Sequence, residues 1–120
     1  MLTLTALGGA APGMTPDQAV MAMEESLASG FEAACPNGRG VQDLGSPLLP
    51  GAEATFSAWL ACDEVNGNGQ SEAMLVLIFT VGGTIYTAQW AEHGDKTDGP
   101  PVFDLNHWMS RMDTLATLAL

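Results

Sequence analysis

The sequence predicts an α+β protein. We expect an antiparallel meander of three strands, or four if an N-terminal strand joins it, flanked by one helix on each side in the order α-β-β-β-α. Three observations support this: a capped helical segment begins near Thr15, three segments with strand periodicity follow, and a second amphipathic segment closes the chain. A chain of 120 residues is the size of one domain, so residues 14–120 are predicted to form a single unit.

Residues 1–13 have two interpretations. The run MLTLTALGGAAPG is apolar and then rich in small residues, like the end of a signal peptide and its cleavage region, although no basic residue precedes the apolar run. Leu2, Leu4 and Ala6 also alternate with threonines, which is typical of a strand. The segment is therefore predicted to be either a signal-peptide remnant or a short N-terminal strand.

The first helix carries a clear start signal. Thr15 suits the N-cap, Pro16 the first helical position and Gln18 the third, which together make a capping box. An apolar stripe follows at spacings of three and four: Val20, Met23, Leu27, Phe31 and Ala34. Pro36 disfavours helical geometry at Cys35, so we expect the helix to end there.

Residues 36–51, PNGRGVQDLGSPLLPG, are rich in proline and glycine and are predicted to be a surface loop. The loop is long for a compact domain, and long loops are often functional, so it is either a binding element or a connection. Three strands are predicted to follow: ATFSAWLACDE, AMLVLIFTV and TIYTAQWAEH. The second is apolar on both faces, which indicates a central strand, and Gly82-Gly83 predicts a hairpin before the third.

The last helix is predicted to begin after Asp104 as N-cap and to run to about Ala119. Its apolar stripe comprises Leu105, Trp108, Met109, Met112, Leu115 and Ala116.

The net charge of −11 results from a shortage of bases: the chain has 14 acidic residues and only 3 basic ones. Direct nucleic-acid binding depends on lysine and arginine, so the composition argues against it. The longest apolar run, residues 73–79, is far shorter than the roughly 20 residues of a membrane span. An anionic surface instead favours a cationic protein partner.

Cys35 and Cys62 are predicted to form one structural disulfide, because one ends the first helix and the other lies on the inward face of the first predicted strand. Such a bond implies an oxidising compartment, which predicts a periplasmic or secreted protein. A nucleophilic role for Cys35 is disfavoured, since the negative end of a helix dipole destabilises a thiolate.

The run from Glu64 resembles the first half of a calcium loop. The candidate ligands are Glu64, Asn66, Asn68 and Glu72. Position 12, which should carry a bidentate glutamate, is Leu75, and Asn-Gly pairs also suit a hairpin turn. A turn is therefore the preferred interpretation, and neither a metal nor a cofactor is predicted.

No catalytic or nucleotide-binding motif is present, so the sequence predicts a protein that is not an enzyme. His93, Asp95 and His107 are the residues around which an alternative small-ligand or catalytic site could form. If both helices cover one face of the sheet, Trp59 and Ile85 lie on the other and are candidates for partner contact.

The function predicted from these features is a binding or inhibitory module outside the cytoplasm. The alternatives are a small-ligand protein and a cytosolic dimer joined through a sheet edge. For the dimer, the element order and acidity resemble those of small type III secretion chaperones, a likeness at the level of fold only.

Overall fold

The structure is a computed structural model that describes residues 1–9, 11–35 and 39–120, with Arg39 described through its backbone only. The strands and helices are, in chain order, β1 (Leu2–Gly9), α1 (Pro16–Ala34), β2 (Arg39–Gly45), β3 (Ala54–Cys62), β4 (Gln70–Val81), β5 (Thr84–Asp95) and α2 (Leu105–Ala116). Short 3₁₀ turns, Lys96–Asp98 and Thr117–Ala119, follow β5 and α2.

In the described part of the chain, the strands form one antiparallel sheet of 5 strands in the order β1-β5-β4-β3-β2. The chain enters at one edge with β1, crosses to the opposite edge after α1, and returns through the meander from β2 to β5. The last strand then pairs with the first, as in the register of Leu2 with Trp90. The α+β class is confirmed.

The predicted meander of three or four strands in the order α-β-β-β-α is wrong, because the described residues form a sheet of 5 strands. Strand β1 is the N-terminal strand that the four-stranded alternative included, and β2 is the strand that was not predicted. The missed strand, β2, lies within the segment predicted to be a loop; residues 36–38 of that segment lie outside the described residues. Its glycines hide the strand pattern. Backbone pairing with β3, from Arg39 opposite Cys62 to Asp43 opposite Ala58, forms an edge strand that side-chain periodicity does not signal.

The central position of β4 follows from its apolar residues on both faces. Leu75, Leu77 and Phe79 are buried on the α2 side. Val76 and Ile78 are buried on the α1 side. The hairpin predicted at Gly82-Gly83 is present, with φ values of 56° and 79° that an L side chain rarely adopts.

The two helices cover opposite faces of the sheet. Helix α1 begins with the predicted capping box of Thr15 and Gln18, and its apolar stripe packs on β3 and β4. Helix α2 begins after Asp104, whose carboxylate accepts a hydrogen bond from the His107 N–H at 3.1 Å. It packs on β4, β5 and β1. This arrangement leaves β2 as the edge strand that neither helix covers extensively.

The structure contains the predicted disulfide between Cys35 and Cys62, both buried, with 5.7 Å between their Cα atoms. It joins the end of α1 to the end of β3. The backbone N–H of Asn66 in the following hairpin donates to the Ala34 carbonyl at 2.7 Å, which satisfies one of the last carbonyls of α1. The disulfide and the hairpin therefore fix the C-terminal end of α1 to the sheet, and we refer to this region as the disulfide corner.

Asp113 of α2 provides a test of the packing on that face. Burial raises the pKa of its carboxyl, and its Oδ1 atom has no hydrogen-bond partner within residues 1–9, 11–35 and 39–120. Because the folded state holds this proton more tightly than the unfolded chain, the charge destabilises the fold as the pH rises above the usual value of 3.8. We expect Asp113→Asn to raise the melting temperature at pH 7 and to leave it unchanged well below pH 3.8, as thermal unfolding followed by circular dichroism can check. Asp98→Asn, at an exposed position, is the matched control; an equal gain there would contradict the assignment to burial.

Candidate functional site

The calcium-like segment forms the hairpin loop between β3 and β4, and the side chains of Glu64 and Asn68 make contacts within the protein. The Glu64 carboxylate accepts a hydrogen bond from the Gly69 N–H at 2.8 Å and lies 3.6 Å from the Lys96 ammonium. Asn68 Oδ1 accepts from the Gln70 N–H at 2.8 Å. Asn66 has a positive φ of 51°, the geometry for which asparagine suits a turn.

Glu72, the last candidate ligand, lies on β4 directly opposite His93 of β5, with 3.4 Å between its Oε1 atom and the His93 Nε2 atom. No group of three or more His, Cys, Asp or Glu residues that could hold a metal ion occurs in the described ranges, which omit residues 10 and 36–38. The geometry of this region is that of a hairpin with one surface ion pair, between Glu64 and Lys96, and a contact between Glu72 and His93.

His93 and Asp95 border a depression of about 300 Å³ at the end of β5. Asp95 uses one carboxylate oxygen to accept hydrogen bonds from the N–H and hydroxyl of Thr97, and these bonds lower the pKa of Asp95. His93 pairs in register with Glu72 on the α1 side of the sheet, whereas His107 belongs to α2 on the other side. The structure therefore brings His93 and Asp95 together and leaves His107 in a different surface.

Trp59 and Ile85, proposed from the sequence as one partner surface, lie on opposite faces of the sheet. Ile85 is buried with the residues under α1. Trp59 packs on the α2 side and borders a depression of about 200 Å³ together with Phe103 and Val102, which is 96% exposed. The two residues do not form a common surface, because the helices cover opposite faces rather than one.

A group of acidic side chains lies on the α1 side of the sheet, near the edge strand β2. Asp43 pairs in register with Ala58, whose side chain belongs to the α1-side core, so Asp43 faces α1. Partial burial raises the pKa of Glu24 on α1, and the nearby charges of Asp43 and Glu25 raise it further. Helix α1 itself contains no lysine, arginine or histidine. We call Glu24, Glu25 and Asp43 the acidic surface.

The sequence pattern does not reveal this surface, because it predicts a loop at Asp43. The spacing of Glu24 and Glu25 indicates only a charged helix face. Placing Asp43 beside them requires the β2–β3 register, which the sequence pattern does not supply.

The sequence interpretation also missed a cluster on α2. The Trp108 ring stacks on Trp90 of β5, with 3.4 Å between the ring centroids and 9° between the planes. The guanidinium of Arg111 lies 5.8 Å from the centre of the Trp108 ring, and its Nε–H donates to His107 Nε2 at 3.2 Å. Trp90 in turn donates its indole N–H to Glu92 Oε2 at 2.7 Å. The available signal was the spacing of His107, Trp108 and Arg111, which places all three on one side of a helix.

Both sheet edges are open among the described strands, but they differ in chemistry. Strand β1 contains no charged residue, whereas β2 contains Arg39 and Asp43, and its exposed Val41 faces the same side as Asp43. An unpaired edge offers a row of backbone donors and acceptors to an added strand. The side chains of the edge strand then determine which added strand can pair with it.

Comparisons of the chain with protein-family models, curated proteins and solved structures give no match. Within the described part of the chain, no helix combines the length and the apolar character needed to cross a membrane.

Proposed function

We propose that this protein is a non-enzymatic binding module of an oxidising compartment, periplasmic or extracellular, that binds an extended cationic segment of a partner protein along β2. The observation that carries the proposal is the position of an open edge strand beside the three carboxylates of the acidic surface. The disulfide supports the compartment, because such bonds persist where the surroundings oxidise thiols.

In this proposal, the affinity comes from main-chain hydrogen bonds along the open edge of β2. An extended segment that pairs with β2 would exchange main-chain hydrogen bonds with it, a recognition mode in which alternate side chains face the same surface. Residues at every second position would lie on the α1 side, next to Val41 and Asp43. Lysine or arginine at those positions would approach Asp43 and Glu24.

The negative charge of the acidic surface determines which partner segments bind. Partial burial raises the pKa of Glu24, and the nearby charges of Asp43 and Glu25 raise it further, so the charged form of Glu24 is disfavoured in the unbound protein. A cationic segment would relieve this repulsion, while an anionic one would add to it. Because the pairs are near the surface, binding is expected to weaken as the salt concentration rises.

The same argument disfavours a second copy of this chain at β2, since two acidic surfaces would meet. The uncharged β1 edge is the better place for a homodimer. The chaperone hypothesis combines the acidity of the chain with the element order α-β-β-β-α, and the fold does not have that order. The small-ligand alternative based on His93, Asp95 and His107 loses its combined site, because these residues occupy two surfaces.

The test uses a fluorescent peptide of alternating lysine and valine as probe, with anisotropy as the readout. We expect saturable binding to the wild-type protein that weakens with added salt. Glu24→Gln with Asp43→Asn should weaken binding by about fivefold or more, because two surface ion pairs are lost. Mapping amide shifts by NMR should place the peptide along residues 39–45.

Three controls separate edge pairing from general charge attraction. The double variant Glu92→Gln with Asp98→Asn makes the same change in net charge on the β5 side and should leave the affinity unchanged. A peptide with glutamate in place of lysine, and one with alternate backbone nitrogens methylated, should both fail to bind. Equal weakening by the two double variants, or undiminished binding of the methylated peptide, would overturn the proposal, as would peptide-induced shifts at β1.

A further inference from the structure

A groove of about 810 Å³ runs along one side of α2 and reaches the start of β1. It does not involve the acidic surface. Its walls include Leu2, His107, Arg111, Thr114, Leu115 and Leu118. Leu118 is 77% exposed, so an apolar side chain at the end of the groove lies open to solvent.

Among the described side chains that line this groove, Arg111 is the only lysine or arginine. Its Nε–H donates to His107 Nε2, and its position beside the Trp108 ring restrains the plane of the guanidinium. Within the described ranges, which exclude the Arg39 side chain, no carboxylate forms an ion pair with Arg111 and neither Nη group makes a hydrogen bond. In a chain with 14 acidic and 3 basic residues, this leaves an oriented guanidinium fork without an anion.

The groove has a polar end and an apolar end. His107 and Arg111 lie one turn apart on α2, followed by Leu115 and Leu118 on the same side. Leu115 lies one turn beyond Arg111, about 6 Å along the axis at the helical rise of about 1.5 Å per residue, and Leu118 follows in the 3₁₀ turn after α2. A ligand bound along α2 would therefore place an anionic head at Arg111 and an apolar tail over the two leucines and Leu2.

The charges of the site restrict the head group. One guanidinium faces the groove, and the Asp104 carboxylate also lines it. With a net charge of −11 over the whole chain, a dianion such as a phosphate monoester would meet more repulsion than a single arginine compensates. A carboxylate carries one negative charge and matches the two free Nη groups in bidentate geometry.

We propose that this groove binds an aliphatic monocarboxylate of medium chain length. The carboxylate accepts hydrogen bonds from both Nη groups of Arg111, while the alkyl chain covers Leu115, Leu118 and Leu2. His107 acts as a positioning residue, because its Nε2 atom holds the Arg111 Nε–H and leaves the fork directed at the ligand. This site is independent of the edge proposed for protein binding.

Octanoate is the probe for the test, titrated into the uniformly ¹⁵N-labelled wild-type protein and followed by NMR. We expect saturable shifts concentrated in residues 107–118 and a change in tryptophan fluorescence from the Trp108 stack. Arg111→Gln keeps most of the side-chain length and removes the charge, and should weaken octanoate binding by about tenfold or more. Leu118→Ser should also weaken it, with little effect on folding because the residue is exposed.

Matched probes and a matched variant decide the outcome. Octanol and octylamine carry the same tail without the carboxylate and should bind more weakly by a similar factor. Lys96→Gln removes a cation outside the groove and should leave octanoate affinity unchanged. Equal binding of octanol, an undiminished affinity of Arg111→Gln, or shifts spread over the whole sheet would overturn the proposal, as would the absence of saturable binding.

Discussion

Replacing both Cys35 and Cys62 by alanine should lower the free energy of unfolding by about 3–4 kcal/mol. The bond joins residues 27 positions apart, and the chain-entropy treatment assigns about this value to a loop of that length. For a domain of this size the loss corresponds to a fall in melting temperature on the order of 10–15 °C. Alanine is the appropriate replacement because both positions are buried and a hydroxyl there would add an unsatisfied polar group.

Chemical denaturation with and without reductant provides the measurement. The wild-type protein should lose about the same stability when reduced, while the double variant should be insensitive to reductant. An unchanged unfolding midpoint for the double variant would contradict the structural role assigned to the bond.

Truncating Phe79 should have a comparable effect. This residue is fully buried in the central strand, and its ring stacks on Tyr86 of β5 with 5.3 Å between the ring centroids. Phe79→Ala removes buried apolar surface and leaves a cavity in the α2-side core, which costs about 3–5 kcal/mol. The variant should unfold at a lower denaturant concentration, with a melting temperature lower by on the order of 10–20 °C.

Val102→Ala is the control, since Val102 is 96% exposed and its truncation should change stability by less than about 0.5 kcal/mol. A loss below about 1 kcal/mol for Phe79→Ala would mean that the α2 face is not packed as described.

The disulfide corner explains how a strand at the sheet edge comes to lie beside a charged helix. Arg39 at the start of β2 pairs in register with Cys62, the residue that the disulfide joins to the end of α1. The start of β2 and the end of α1 are therefore both held at the disulfide corner. Asp43, further along β2, faces Glu24 on α1. We therefore expect reduction of the disulfide to make the arrangement of the acidic surface less rigid, in addition to lowering the stability of the fold.

The elements with strong local signals were predictable from the sequence. The capping box at Thr15 defines the start of α1, the glycine pair defines the turn after β4, and the apolar run of β4 defines the centre of the sheet. Each of these signals lies within a few residues, so no information about the rest of the fold is needed. The disulfide was also predictable, because only two cysteines are present.

Features that depend on pairing between distant segments were not predictable. Strand β2 has glycine at its second and last positions, and its strand geometry comes from hydrogen bonds to β3 rather than from its own side chains. The face that each helix covers depends on the side of the sheet along which the chain crosses, and the local sequence does not specify that side. The sequence therefore predicts Trp59 and Ile85 on one face, whereas they lie on opposite faces in the fold. The same reason accounts for the acidic surface and for the groove beside Arg111.

The measurement that tests the central claim most directly is the mass of the protein isolated from its native cell, alkylated first without reductant and then after reduction. The account predicts that neither Cys35 nor Cys62 is alkylated before reduction and that both are alkylated after it. Alkylation of both thiols without reductant would contradict the disulfide in the cell, and with it the assignment to an oxidising compartment.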